Sequence, residues 1–287
     1  MKISIFIFFL AVSVIAKQPT EWQDADAAWL SNQIYEGVNT MNTDSGSVIY
    51  SHTSTNFGAF AIWKQKKVGD CYLVIRGTKT PRDFFTDLAV KEVTDNEIGV
   101  KVHSGVYSRS HFILNNIDDK LKVCNSDIII TGHSLGGAIA HYLFLLYFKR
   151  HFYDWGQKSK AMMFKAVMFG APQLITKSNN LFLYINEIMS IKWYKYHNDC
   201  IPEIIHTIKT SPFSSIVYLF GPFLPITIKA YETVKTVSYG YYIPGTKIHL
   251  LPNGKKEVYK FNPAEKLSIS DHVNLRLTVD LLTKIWQ

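Results

Sequence analysis

The stretch DIIITGHSLGGAIAHYLFLLYF, Asp127 to Phe148, sets Ser134 between Gly132 and the pair Gly136-Gly137, with an apolar run on either side. A flexible linker carries glycines but is not bracketed in this way. Ile128-Ile129-Ile130 reads as a buried strand, because β-branched residues suit a pleated, covered surface. From Gly137 to Phe148 apolar residues recur at three- and four-residue steps, which predicts a helix. The chain must therefore turn from strand to helix within a few residues. Glycines two before and two after the serine remove the side chains that would collide in so tight a turn. Ser134 then stands at the apex in a strained conformation with its hydroxyl presented outward. The bare pattern G-x-S-x-G arises by chance in about one chain in ten of this length. The strand-turn-helix context is what makes Ser134 a candidate nucleophile.

A serine hydroxyl is a poor nucleophile near neutral pH and needs a base, which in turn needs an orienting acid. In sheets of this type the partners follow in the order Ser, Asp or Glu, His. Among the acids after Ser134, Asp199 is best placed, just past the strand-like WYKYHN and before Pro202. Catalytic groups gather at the carboxyl ends of strands in open α/β sheets. Among the histidines, His141 falls on the helix after Ser134 and His249 within a strand. His272, in SISDHVNL, falls in a loop before the last helix and is the chosen base. His197, two residues from Asp199, is the runner-up.

The remaining pattern predicts an α/β fold with a mostly parallel central sheet covered by helices on both faces. AFAIWKQKKVGDCYLVIRGT reads as a hairpin, MFKAVMFGAP as a strand stopped by Gly170 and Pro172, and TKIHLLPNGKKEVYKF as a hairpin turning at Asn253-Gly254. Val273 to Trp286 reads as an amphipathic helix. Nothing in the composition divides the chain, so residues 17–287 are expected to form a single domain. Ser211 to Tyr231 is apolar but interrupted by Pro212, Gly221, Pro222 and Pro225. Two readings fit it, an irregular core insertion and an apolar surface presented to lipid.

Residues 1–16 combine Lys2, an apolar stretch and a small-residue site at Val14-x-Ala16, the pattern of a cleavable secretory signal peptide. The apolar run falls short of the ~20 residues that span a bilayer. Export makes a disulfide among Cys71, Cys124 and Cys200 feasible, with the pairing left open by the sequence. The net charge of +8 comes from scattered lysines without a basic run or an aromatic platform, so no nucleic-acid partner is expected. A mild positive field favours approach to anionic lipid surfaces.

Taken together, VIRGT, HSGVY, GHSLGGA, MFGAPQ, YHNDCIP and SDH, in order from Ala59 to His272, resemble the class 3 lipase family of fungal-type triacylglycerol lipases. The resemblance implies an α/β-hydrolase fold with a lid segment, and its triad falls on Ser134, Asp199 and His272. It also implies an oxyanion hole from the backbone N–H of Leu135 and from the backbone N–H and hydroxyl of Thr78. Asp87 would hold the Thr78 side chain. Lys79 to Val90 corresponds to the family's lid helix, with Phe84, Phe85 and Leu88 as its apolar stripe, and His103 to a structural histidine. The chain departs from the family pattern where Phe84-Phe85 replaces a common tryptophan and where Ser211–Tyr231 lengthens the interval before His272. Its cysteines do not follow the fungal disulfide pattern.

The expected activity is hydrolysis of lipid carboxylic esters, triacylglycerols first, by a secreted serine hydrolase acting at a lipid–water interface. Transient contact with a membrane or lipid droplet goes with that activity. No metal or organic cofactor is called for. The alternatives are a phospholipase A1, a general carboxylesterase and, from another class, a non-catalytic lipid-binding protein.

Overall fold

A computed structural model describes residues 18–55, 58–78, 91–155, 164–180, 183–184, 187, 190–210, 242, 245–258, 271–272 and 275–284. The expected signal peptide (1–16), the lid segment (79–90) with Phe84, Phe85, Asp87 and Leu88, and the Ser211–Tyr231 stretch lie outside the described residues.

The chain enters through α1 (Glu21–Glu36), started by a capping box in which the Gln23 N–H donates to Thr20 Oγ1 and the Thr20 N–H to Gln23 Oε1. It then forms β1 (Gly46–Ser54), β2 (Gly58–Gln65) and β3 (Cys71–Ile75), a small pair β4 (Glu92–Asp95) and β5 (Val100–His103), and α2 (Ser104–Leu121). β6 (Ile128–His133) leads into α3 (Leu135–Trp155). After these come β7 (Phe164–Phe169), β8 (Ile191–Tyr196), α4 (Ile204–Thr210), β9 (Thr246–Leu250), β10 (Lys256–Val258) and α5 (Leu275–Lys284). His103 caps α2, its Nδ1 accepting the Gly105 N–H at 3.2 Å, in keeping with a structural role.

Eight strands make one sheet in the order β1-β2-β3-β6-β7-β8-β9-β10. The central run from β3 to β9 is parallel, while β1, β2 and β10 add antiparallel edges. The expected α/β fold with a mostly parallel sheet is what forms. Both expected hairpins are present, with Gly254 in the left-handed region at φ 82° in the β9–β10 turn.

Period-two alternation splits the core into two layers. Cys71, Leu73 and Ile75, with Ile128, Ile130, Ala166 and Met168, pack under α2 and α3. Tyr72, Val74, Ile129, Val167 and Tyr194 face the other way, under α1 and α5. Each fully buried Ile, Leu or Val here contributes roughly 1.5–3 kcal/mol relative to exposure. Among the described residues no helix is long and apolar enough to cross a membrane.

Cys71, at the start of β3, forms a disulfide with Cys124, just beyond α2. This bond ties the sheet to the layer above it. Cys200 remains a buried free thiol, its pKa pushed up first by burial and then by the neighbouring Asp199. Such a thiol is inert as a nucleophile.

Candidate active site

Ser134 sits where β6 ends and α3 begins, with φ 57°, one of two non-glycine residues at positive φ among the described residues. A left-handed serine is costly by roughly 1–2 kcal/mol. Its neighbours hold it there: the Ser134 N–H donates to Phe169 O at 2.9 Å, and Ser134 O accepts from Gly137 N–H. The helix starts at Leu135, two residues before the sequence pattern predicts it.

The glycines have the expected purpose. A Cβ on Gly136 would lie 2.2 Å from Ile75 O, and one on Gly132 would lie 2.5 Å from the Gly136 carbonyl carbon. Only bare backbone fits where β3, β6 and α3 converge. Gly77, just after β3, is equally confined, with space for a Cβ ending 2.5 Å from His133 O. Thr78 follows it, so the loop after β3 runs beside the elbow. Leu135 is the first residue of α3, where N–H groups have no partner within the helix and the helix dipole is positive.

Three residues separated by long stretches of chain meet at this point. His272 Nε2 lies 2.9 Å from Ser134 Oγ, and His272 Nδ1 lies 3.0 Å from Asp199 Oδ1 and 3.1 Å from Oδ2. Ser134, Asp199 and His272 are all buried. A carboxylate only accepts, so Nδ1 carries the proton and Nε2 presents its lone pair to the serine hydroxyl. The Ile201 N–H also donates to Asp199 Oδ1 at 2.9 Å, which fixes the carboxylate. Asp199 lies in the turn beyond β8, which stops at Tyr196 rather than running on to the acid.

His197 does not approach the serine. Its Nδ1 faces Asp271 Oδ2 at 2.9 Å, the same oxygen that accepts the Asn198 N–H, so it anchors the residue preceding His272. His141 pairs instead with the buried Glu187, and His249 Nε2 donates to His197 O.

Three participants escaped the sequence reading. Gly170, at φ 54°, packs against both Asp199 and His272. His133, the variable position of the G-x-S-x-G pattern, stacks on His272 with ring centroids 4.5 Å apart. Tyr35 reaches His133 from α1. Gly170 and His133 were in view inside MFGAPQ and GHSLGGA without a role at the site, and no motif flags Tyr35.

A serine turned out of a strand–helix elbow, an imidazole against its oxygen and a carboxylate behind the imidazole define an α/β-hydrolase arrangement. The chain is similar to the class 3 lipase family: the family model Lipase (class 3) matches residues 72–208, which include Ser134 and Asp199. Solved structures with this fold include Rhizomucor miehei triacylglyceride lipase, with 15% identity, TM-score 0.58, and coverage of 86% of this chain and 90% of that one. Lipase II from Rhizopus niveus is similar at 19% identity and TM-score 0.57, covering 90% and 95% of the two chains. A lipase from Rhizopus microsporus var. chinensis is similar at 19% identity and TM-score 0.54, covering 90% and 88%. At these identities the likeness shows the fold. No curated protein sequence matches the chain significantly.

Proposed function

We propose that this protein is a serine hydrolase that cleaves carboxylic esters of lipids, with triacylglycerols as the leading substrate class and Ser134, His272 and Asp199 as its catalytic triad. The observation that carries the reading is the unbroken line from Ser134 Oγ through the His272 ring to the Asp199 carboxylate, every step at about 3 Å. The similarity to the class 3 lipase family supports a lipid substrate.

In the reaction, Ser134 Oγ attacks the ester carbonyl carbon as its proton passes to His272 Nε2. The resulting imidazolium is steadied by Asp199. Negative charge gathers on the former carbonyl oxygen, where the N–H of Leu135 and the N–H and hydroxyl of Thr78 act as donors. One such donor is worth about 2.7–4 kcal/mol in the transition state. The intermediate collapses by breaking the bond to the alcohol oxygen, which takes the proton from His272. Water, deprotonated by the same imidazole, then attacks the acyl-enzyme and releases the fatty acid, restoring Ser134.

The remaining parts of the proposal complete this picture. Residues 1–16 are a cleaved signal peptide and residues 17–287 a single secreted domain. The Cys71–Cys124 disulfide favours an oxidising compartment. Phe84, Phe85 and Leu88 form the apolar stripe of a lid over the lipid interface, and Asp87 holds the Thr78 hydroxyl.

The test is turnover of purified protein on tri-, di- and monoacylglycerols, phosphoglycerides and a soluble short-chain ester. Preferential release of fatty acid from triacylglycerol, with a rate that jumps once substrate exceeds its solubility, is the expected result. Release from the sn-1 position of phosphoglycerides alone would make it a phospholipase A1. Equal rates on dissolved ester would make it a carboxylesterase. Lipid binding without turnover would overturn the hydrolase reading.

A further inference from the structure

The catalytic arrangement proposed above says what aligns the two nitrogens of His272 but not what fixes its backbone. The His272 carbonyl oxygen lies 3.0 Å from His133 Nε2. A carbonyl oxygen only accepts, so His133 Nε2 carries a proton. His133 is buried, and burial together with the adjacent His272 ring holds its pKa well below the ordinary histidine value. The ring is thus neutral, and its other nitrogen, Nδ1, is an acceptor.

That acceptor faces a hydroxyl. Tyr35 Oη lies 3.3 Å from His133 Nδ1 and 3.5 Å from His133 O, so its proton points at this one residue from either geometry. The Tyr35 oxygen also lies against the backbone of Gly77, the residue before Thr78. A Cβ on Gly77 would stand 2.5 Å from the same oxygen, which shows how closely the loop is drawn in. A continuous line of contacts runs from the loop after β3, through a tyrosine on α1 and the histidine before the nucleophile, to the backbone of the catalytic base.

Resting on the triad reading above, we propose that Tyr35 and His133 are positioning residues that fix the His272 imidazole and tie it to the oxyanion loop. The Tyr35 proton on Nδ1 selects the His133 tautomer whose Nε2–H grips the His272 carbonyl. The neutrality of His133 also matters, because its ring stacks 4.5 Å from an imidazole that becomes cationic in each half-reaction. A charged neighbour there would oppose proton uptake by His272. Without the Tyr35 hydroxyl, the His133 proton is free to move to Nδ1. A bare Nε2 then faces the His272 carbonyl oxygen, and the two lone pairs push the loop away.

The experiment compares wild type with Tyr35→Phe, His133→Gln and His133→Phe on a soluble ester, together with active-site labelling by an organophosphorus ester. Tyr35→Phe keeps the ring and removes only the hydroxyl. His133→Gln keeps a donor close to the Nε2 position, whereas His133→Phe keeps the stacked ring without a donor. The expected result is a kcat about 10- to 100-fold lower for Tyr35→Phe and His133→Phe, the range that follows from misplacing a catalytic group by up to about 1 Å. KM should stay within about two-fold, the thermal midpoint of Tyr35→Phe should be unchanged, and His133→Gln should recover part of the lost kcat. Every variant should still label once per chain, more slowly than wild type. Wild-type kcat in Tyr35→Phe would overturn the proposal even if His133→Phe fails to fold, as would equal loss in His133→Gln and His133→Phe. Failure of wild type itself to label would instead overturn the hydrolase reading, so the two outcomes are separable.

Discussion

Gly170 and Asp199 approach so closely that no side chain fits between them: a Cβ on Gly170 would lie 2.5 Å from Asp199 Oδ2. The same methyl would stand 3.0 Å from His272 Nδ1, and Gly170 already has φ 54°. Gly170→Ala is expected to force carboxylate and imidazole apart and lower kcat by about 100-fold, with KM little changed. Steady-state kinetics on a soluble ester checks this; a kcat within two-fold of wild type would mean that the site absorbs the methyl elsewhere.

Asp199 orients His272 by accepting its Nδ1 proton. An amide at this position can turn its NH2 toward Nδ1, which moves the imidazole proton to Nε2, where it faces Ser134 instead of receiving from it. Asp199→Asn is therefore expected to lower kcat by about 10⁴-fold while the fold is kept, as for the acid of other serine triads. Circular dichroism and the thermal midpoint report the fold, and the hydrolysis rate reports the triad.

Much of the site was legible because its logic is local. The glycines around Ser134 state their geometry within a few residues, and the strands beside them are continuous apolar runs. What stayed hidden depends on distant partners. α1 was missed because its buried face is mixed: Gln23, Asp24 and Ser31 are buried along with Ala27, Ala28, Leu30 and Ile34. Each of those polar side chains has its partner far along the chain. Gln23 bonds to Asp70 and Asp127, Asp24 pairs with Lys192, and Ser31 meets Thr131. A helix whose buried polar groups find their partners across the fold loses the apolar stripe by which sequence reading finds helices. Tyr35 was hidden for the same reason. The Cys71–Cys124 pairing was equally unreadable, since nothing local brings residues 53 apart in sequence together.

The same helix carries a pH-dependent element. Burial pushes the Asp26 carboxyl from 3.8 up to about 6, only partly offset by hydrogen bonds from Tyr72 and Gln65. The folded state thus holds this proton more tightly than the unfolded chain does. Its contribution to stability is full below the unfolded value, near pH 4, and is lost as pH rises through about 6. Asp26→Asn cannot ionise. Between pH 4 and pH 7 its stability should gain on wild type by at most about 3 kcal/mol. Urea unfolding at both pH values measures the difference, and a constant gap would contradict the assignment.

The Cys71–Cys124 disulfide closes a long loop far from the Ser134 hydroxyl's partners, at the opening residue of β3. Loop-closure entropy for a separation of 53 residues corresponds to about 4 kcal/mol. The double substitution Cys71→Ala, Cys124→Ala is expected to lower the thermal midpoint by roughly 8–16 °C. The kcat measured well below that midpoint should remain near wild type. Loss of activity at temperatures where the variant is fully folded would show that the bond shapes the site as well.

The claim on which the rest depends is that the Ser134 oxygen is the nucleophile and that His272 activates it. Mass spectrometry after treatment with an organophosphorus ester tests this most directly. One adduct per chain is predicted, on the peptide containing Ser134, absent in Ser134→Ala and formed far more slowly in His272→Ala. An adduct on another residue, or undiminished labelling of Ser134→Ala, would contradict it.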